Sequence, residues 1–172
     1  MNHADSAPAA PQVSYKRFSH GGRLWRWQMG VLGLSIFFFA VACATPALKF
    51  TPNQSDDGLM YGLWVLAIGW MGILVDQYGW LANLLLGLSY LLLIFRLWLP
   101  ALIVNLFTLF VAAQTLTLFG QELPADESNV NKMTLEYLGV GFYFWLLSIL
   151  TVGVGAIVLW IIARQQKRLS SL

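Results

Sequence analysis

The sequence predicts an all-α membrane protein with four transmembrane helices, one re-entrant or interfacial helix, and both termini in the cytoplasm. Three observations carry this. Hydrophobic residues make up 58% of the 172 positions and charged residues only 10%, with a mean hydropathy of +0.67, too little polar surface to clothe a water-soluble globule of this length. The apolar residues fall into unbroken blocks at 29–48, 59–95, 97–119 and 139–163. They do not alternate with polar residues as the strands of a membrane barrel do, so the blocks read as helices of the length a hydrocarbon core demands. Finally, the ten Lys and Arg residues distribute unevenly between the ends of these blocks, which orients them.

Residues 1–14 are small, polar and proline-containing, and read with residues up to 27 as a disordered cytoplasmic tail. Its basic and aromatic half, 15–27, fits an anchor on anionic lipid headgroups beside a membrane helix rather than a nucleic-acid interface. His3 and His20 lie there, far from any carboxylate cluster, and no metal is assigned to them. The first span covers 29–48. Cys43 is the only cysteine, which excludes an internal disulfide, a Cys-based zinc site and a paired-cysteine redox motif. It reads as a small buried thiol near the end of the first helix.

The block 59–95 decides the topology. As one helix of 37 residues it would be about 55 Å long, against a core of about 30 Å, so it breaks at Asp76-Gln77-Tyr78-Gly79. If both pieces span, five positive residues lie on each side. If 59–75 dips in and returns, or lies in the interface, and only 78–95 spans, then Lys16, Arg17, Arg23, Arg26, Arg96, Arg164, Lys167 and Arg168 share one side and only Lys49 and Lys132 face the other. Lys and Arg accumulate on the cytoplasmic side, which favours the second arrangement. The alternative is that 59–75, with 17 apolar residues, spans at the short end of the allowed range. Gly62, Gly69 and Gly72 share one face of the dipping segment and suit the close backbone packing it requires.

The remaining spans are 97–119 and 139–163, followed by a basic cytoplasmic tail at 164–172. The segments 49–58 and 120–138 read as outer loops. Trp25, Trp27, Trp98 and Trp160 mark the inner interface. Trp64, Trp70, Trp80 and Trp145 gather toward the outer half, where they form either an aromatic pocket or an interfacial belt with core packing.

Ionisable groups inside membrane helices mark proton-driven carriers and intramembrane hydrolases, and the clean helices hold none. Asp76 is the one acid in the hydrophobic middle, at the outer boundary. No metalloprotease helix, phosphate loop or nucleophile–histidine pairing is present. The chain therefore reads as non-enzymatic, with no catalytic, cofactor-binding or metal-binding residue and no cofactor. The candidates for helix packing or a pocket are Asp76, Asn83, Asn105, Gln114, Trp70, Trp80 and Trp145. Asn83 is expected to hydrogen-bond Gln114 or Thr115 across an antiparallel helix pair. Asn105, Thr108, Ala112 and Thr115 form one small and polar stripe, with Gln114 on the opposite side. Thr151 and Gly155 form a small-xxx-small pair suited to helix packing.

Gly69-Trp70-Met71-Gly72, Trp80-Leu81-Ala82-Asn83 and Phe142-Tyr143-Phe144-Trp145-Leu146-Leu147-Ser148 resemble a loose group of small, uncharacterised bacterial four-helix inner-membrane proteins. The resemblance covers roughly residues 60–160 and implies a bacterial cytoplasmic membrane, with no known activity, cofactor or catalytic residue. Where that group carries a proline after the Asn, this chain has Leu84. Two functions stay open: an accessory, assembly or immunity-type protein acting through protein contacts, or a small-solute carrier or channel with an outer-side aromatic pocket. The partners expected are the lipid bilayer and a membrane protein or a second copy of the chain, with no nucleic acid.

Overall fold

A computed structural model describes residues 19–51, 58–124 and 132–169. Residues 1–18, the loop acids Asp56, Asp57, Asp126 and Glu127, and the last three residues, for which the sequence raises expectations, lie outside them. Helix α1 (Ser19–Ala44) leads into strand β1 (Pro46–Thr51). Strand β2 (Leu59–Tyr61) runs straight into the short helix α2 (Gly62–Ile68), continued by a 3-10 turn over Gly69–Val75. Helices α3 (Leu81–Ile94) and α4 (Trp98–Ala113) form a hairpin, and α4 tightens into a 3-10 segment, Gln114–Gly120. Strands β3 (Glu122–Pro124) and β4 (Lys132–Leu138) precede the long helix α5 (Val140–Leu169). Three helical stretches, Leu24–Ala44, Trp98–Gly120 and Val140–Arg168, are long and apolar enough to cross a membrane.

Helix α1 stops at Ala44 because Pro46 has no N–H to donate and biases the residue before it toward extended backbone. The Thr45 hydroxyl donates to the Val41 carbonyl at 2.8 Å, satisfying one acceptor at the frayed end. The turn between α3 and α4 is a Schellman motif: Leu97 N–H reaches the Leu92 carbonyl and Arg96 N–H that of Leu93, both at 2.9 Å, with Arg96 in the left-handed region at φ 59°. Pro100 falls in the first turn of α4, where a missing N–H breaks no helical bond.

The helices pack as a four-membered bundle in which α1 and α4 run one way, α3 and α5 the other. Polar contacts fix the levels. At one end Gln28 on α1 donates to the Ile94 carbonyl at 3.3 Å. In the middle the Ser35 hydroxyl donates to the Ser148 carbonyl and shares a hydrogen bond with Tyr90, both at 2.8 Å. Nearby, Asn105 donates to the Ile149 carbonyl at 3.1 Å. Of the expected stripe, Asn105, Thr108 and Ala112 are buried on α4 together with Ala101, at the 3.6-residue repeat that holds them on one face, while Thr115 falls in the 3-10 extension and is half-buried. Gly153 lies where any Cβ would come within 2.5 Å of Asn105 Oδ1, and Gly155 lies against Val31. The two glycines thus let α5 approach α4 and α1 on different sides, while Thr151 bonds within its own helix, to the Leu147 carbonyl.

Both segments expected as outer loops contain β structure, so the all-α expectation is corrected: the chain is mostly helical and carries a four-stranded antiparallel sheet of order β2-β1-β4-β3. Gly58, at φ 65°, closes the β1–β2 hairpin by accepting the Phe50 N–H at 2.9 Å, in a position where any Cβ would strike the Phe50 carbonyl. Lys132 pairs with Glu122 at 2.6 Å and Lys49 with Glu136 at 3.3 Å. The ammonium beside Glu122 holds its carboxyl below the usual carboxylate range. Ala47, Leu48, Phe50 and Leu135 of the sheet pack with Leu118 of the 3-10 segment into a second apolar core beside the bundle's own. Three boundaries move as well. The first span ends at Ala44 rather than 48, helix already exists from Ser19 within the expected disordered tail, and α5 runs to Leu169 through most of the expected basic tail.

Candidate functional site: a chamber beneath the sheet

Segment Gly62–Val75 lies across one end of the bundle. It starts where the Gly62 N–H meets the Thr45 carbonyl at 3.0 Å, at the end of α1. It finishes beside Gln77, whose side-chain amide donates to Thr117 and Gln121 at the end of the 3-10 extension of α4. Both ends therefore sit at the same level of the molecule. All three glycines of the segment make close approaches, Gly62 to the Ala42 carbonyl, Gly69 to the Trp80 ring and Gly72 to the Gln77 backbone. The indole N–H of Trp80 donates to the Leu66 carbonyl at 2.9 Å and pins the segment's middle.

Between this segment, the sheet and the ends of α1, α3, α4 and α5 is a partly open chamber of about 620 Å³, within the range of small-molecule sites. Its floor holds Trp80, Asn83 and Trp145, its roof Phe50 and Met60, and Leu118 closes one side. Among the described residues no charged side chain lines it. Cys43, half-buried rather than packed away, also reaches the wall. The Trp145 indole donates to Asn83 Oδ1 at 2.9 Å. This replaces the expected pairing of Asn83 with Gln114 or Thr115, for α3 begins at Leu81 and it is Gly79 that meets Thr115.

The sequence candidates divide accordingly. Trp80, Asn83 and Trp145 come together at the chamber. Asn105 is buried deeper in the bundle, and Gln114 sits half-buried on the 3-10 extension. Asp76 is not on a helical stripe with Asn83: it caps the 3-10 turn in the left-handed region at φ 58°, is exposed, and accepts from the Tyr78 hydroxyl at 3.2 Å. Trp70 is exposed and points away. The expected site did not include Gln77, which is buried and ties the segment to the α4 extension. Its position directly after the αL residue was its only signal.

No family model, no curated protein and no solved structure matches this chain. The chamber is therefore read from its own chemistry.

The Asn83–Trp145 pair yields a prediction of non-additivity. Asn83→Leu strips the indole N–H of its acceptor and Trp145→Phe strips the amide oxygen of its donor; the loss of this interhelical hydrogen bond, about 0.6 kcal/mol on average, lowers the melting temperature in detergent by roughly 1–2 °C in each. The double variant, which leaves neither group orphaned, loses less than the sum of the two. Shifts that add fully contradict the pairing.

Proposed function

We propose that this is a non-enzymatic, multi-pass protein of a bacterial inner membrane that binds an apolar ligand in the chamber at the outer end of a four-crossing bundle. The observation that carries the reading is the chamber itself: a cavity of about 620 Å³ walled by apolar side chains. Support for four crossings comes from helix direction. Because α1 and α4 run the same way, a membrane that contains both must be recrossed between them, and α3 is the antiparallel helix available. The crossing Gly62–Val75 segment fits the interface better than the core, since both of its ends are at one level. Orientation follows the positive residues, with Arg26, Arg96, Arg164, Lys167 and Arg168 at the bundle end opposite the sheet. Arg164 lies over the Trp160 ring at 5.3 Å, an arrangement suited to the headgroup boundary.

The chamber narrows the carrier alternative. A charged solute would leave its water for a cavity without a counter-charge, at a prohibitive desolvation cost. The sheet gives little to a strand-adding partner, because its two edges, β2 and β3, are three residues long and β3 ends in Pro124.

The test is photolabelling of the purified protein with a small neutral aryl diazirine, read residue by residue by mass spectrometry. Label on Phe50 and Leu118, which are nearly inaccessible from the surroundings at 5% and 8% exposure, is the expected outcome. Label confined to outward residues such as Leu63 and Phe110 would refute the reading.

A further inference from the structure

The chamber's wall indicates what fills it. The Gly62–Val75 segment contains no buried residue. Val65, Leu66 and Met71 line the chamber from inside, while Leu63, Trp64, Trp70 and Ile73 are exposed on its far side. The wall is thus a single helix thick, with apolar side chains on both faces. Its level is that of Ala44, Gly120 and Val140, the ends of the three long apolar stretches. A segment of this character at the edge of the hydrocarbon presents its outer side to lipid tails.

We infer that the guest is one hydrocarbon chain of a phospholipid from the surrounding bilayer, admitted sideways past the Gly62–Val75 segment; this rests on the apolar-ligand reading above. Three features of the interior favour a hydrocarbon chain over a polar molecule. Charged side chains are absent from the lining among the described residues. Part of the polar lining is engaged already: the Gln77 amide N–H with Thr117 and Gln121, the Asn83 oxygen with Trp145, and the Trp80 N–H with Leu66. Most of the remaining wall is apolar, and a buried water, which needs about three partners, finds none along it. A flexible methylene chain, by contrast, restores dispersion contacts along every wall and asks for no hydrogen bond.

The route is set by how the segment is fastened. Among the described residues its middle is held by the hydrogen bond from Trp80 to Leu66 and by contact of the same ring with Gly69, where a Cβ would approach Trp80 Cδ1 within 2.6 Å. One end is tied by the Gly62–Thr45 backbone bond, and the other through Gln77, whose side chain holds Thr117 and Gln121. Trp80 therefore acts as a latch on the wall, and the wall parts at its centre while its ends stay fixed.

The experiment reconstitutes the full chain into phosphatidylethanolamine–phosphatidylglycerol vesicles containing a phospholipid with a diazirine near the end of one acyl chain. Irradiation and mass spectrometry then locate the label. Label on Phe50 and Leu118, residues that annular lipid does not reach, together with label on outward Leu63 and Phe110, is the expected result. Trp80→Phe, which removes the latch hydrogen bond and keeps a ring, is expected to speed the appearance of interior label several-fold while outward label stays constant. If lipid marks only outward residues while the small aryl diazirine still reaches Phe50 and Leu118, the chamber binds apolar ligands but not acyl chains, and the lipid inference falls alone. If neither probe reaches them, both readings fall. Interior labelling at unchanged rate in Trp80→Phe overturns the latch.

Discussion

Gly141→Val is expected to abolish a stable, monodisperse protein in mild detergent, or to lower its melting temperature by roughly 6–12 °C. The corner where α1 becomes β1 is enclosed by three glycines from two other places in the chain, Gly62 and the Gly139–Gly141 turn. A Cβ on Gly141 would lie 2.9 Å from the carbonyl oxygens of both Ala42 and Thr45. On Gly62 it would strike the Ala42 carbonyl, and on Gly139 the Pro46 carbonyl. These obstacles are backbone atoms, which cannot rotate away as a side-chain tip does. They are held in addition by the Gly62–Thr45 and Gly139–Ala47 hydrogen bonds, at 3.0 and 2.8 Å. Overpacking costs about 1–3 kcal/mol even where relaxation is allowed, and about 3 kcal/mol corresponds to the stated shift in a chain of this size. Gly87→Ala is the control. Nothing lies within 4 Å of a Cβ there, and Ala is the better helix former by about 1 kcal/mol, so its melting temperature holds or rises. Equal behaviour of the two variants in a thermal-shift assay contradicts the packing of this corner.

The second large effect concerns binding rather than stability. Ala47→Phe places a ring on the inner face of β1, into the chamber that Ala47 lines, and phenylalanine suits a strand. Labelling of Leu118 by the small aryl diazirine is expected to fall about tenfold, equivalent to about 1.4 kcal/mol of binding. Leu118→Phe, which fills from the opposite wall, is the independent check, read at Phe50. Undiminished interior labelling in both variants would mean that the probe reaches Phe50 and Leu118 by some other path than the chamber.

The helices were legible in the sequence because hydrophobic block length reports them directly. Where the blocks misled, they did so at their ends. Apolar Ala47 and Leu48 extended the first block past Pro46, although the proline already marked the stop, and the strand behind it was absorbed into the helix. In β4 the alternation was there to see: Lys132, Thr134 and Glu136 are exposed, whereas Met133 and Leu135 turn inward. Its acids drew attention to charge instead of period. The glycines of the Gly62–Val75 segment and most of the α4 stripe follow from helical spacing and composition, and so does an aromatic grouping at this end of the molecule, although Trp64, Trp70 and Asp76 fall outside the chamber. The Trp145–Asn83 bond does not, because it depends on how far α5 slides along α3, which no single helix encodes. Asp76 misled for a related reason: a helical repeat was counted across residues 76–80, where the backbone turns through the left-handed region.

Four crossings and an enclosed chamber both depend on the Gly62–Val75 segment lying along the membrane surface. The measurement that addresses this most directly is a dual reporter, active as one enzyme in the cytoplasm and as another in the periplasm, fused after Leu172 and, in a second strain, before Met1. Cytoplasmic activity at both ends is the result expected. Cytoplasmic activity at the amino end with periplasmic activity at the carboxyl end would make Gly62–Val75 a fifth crossing and contradict it.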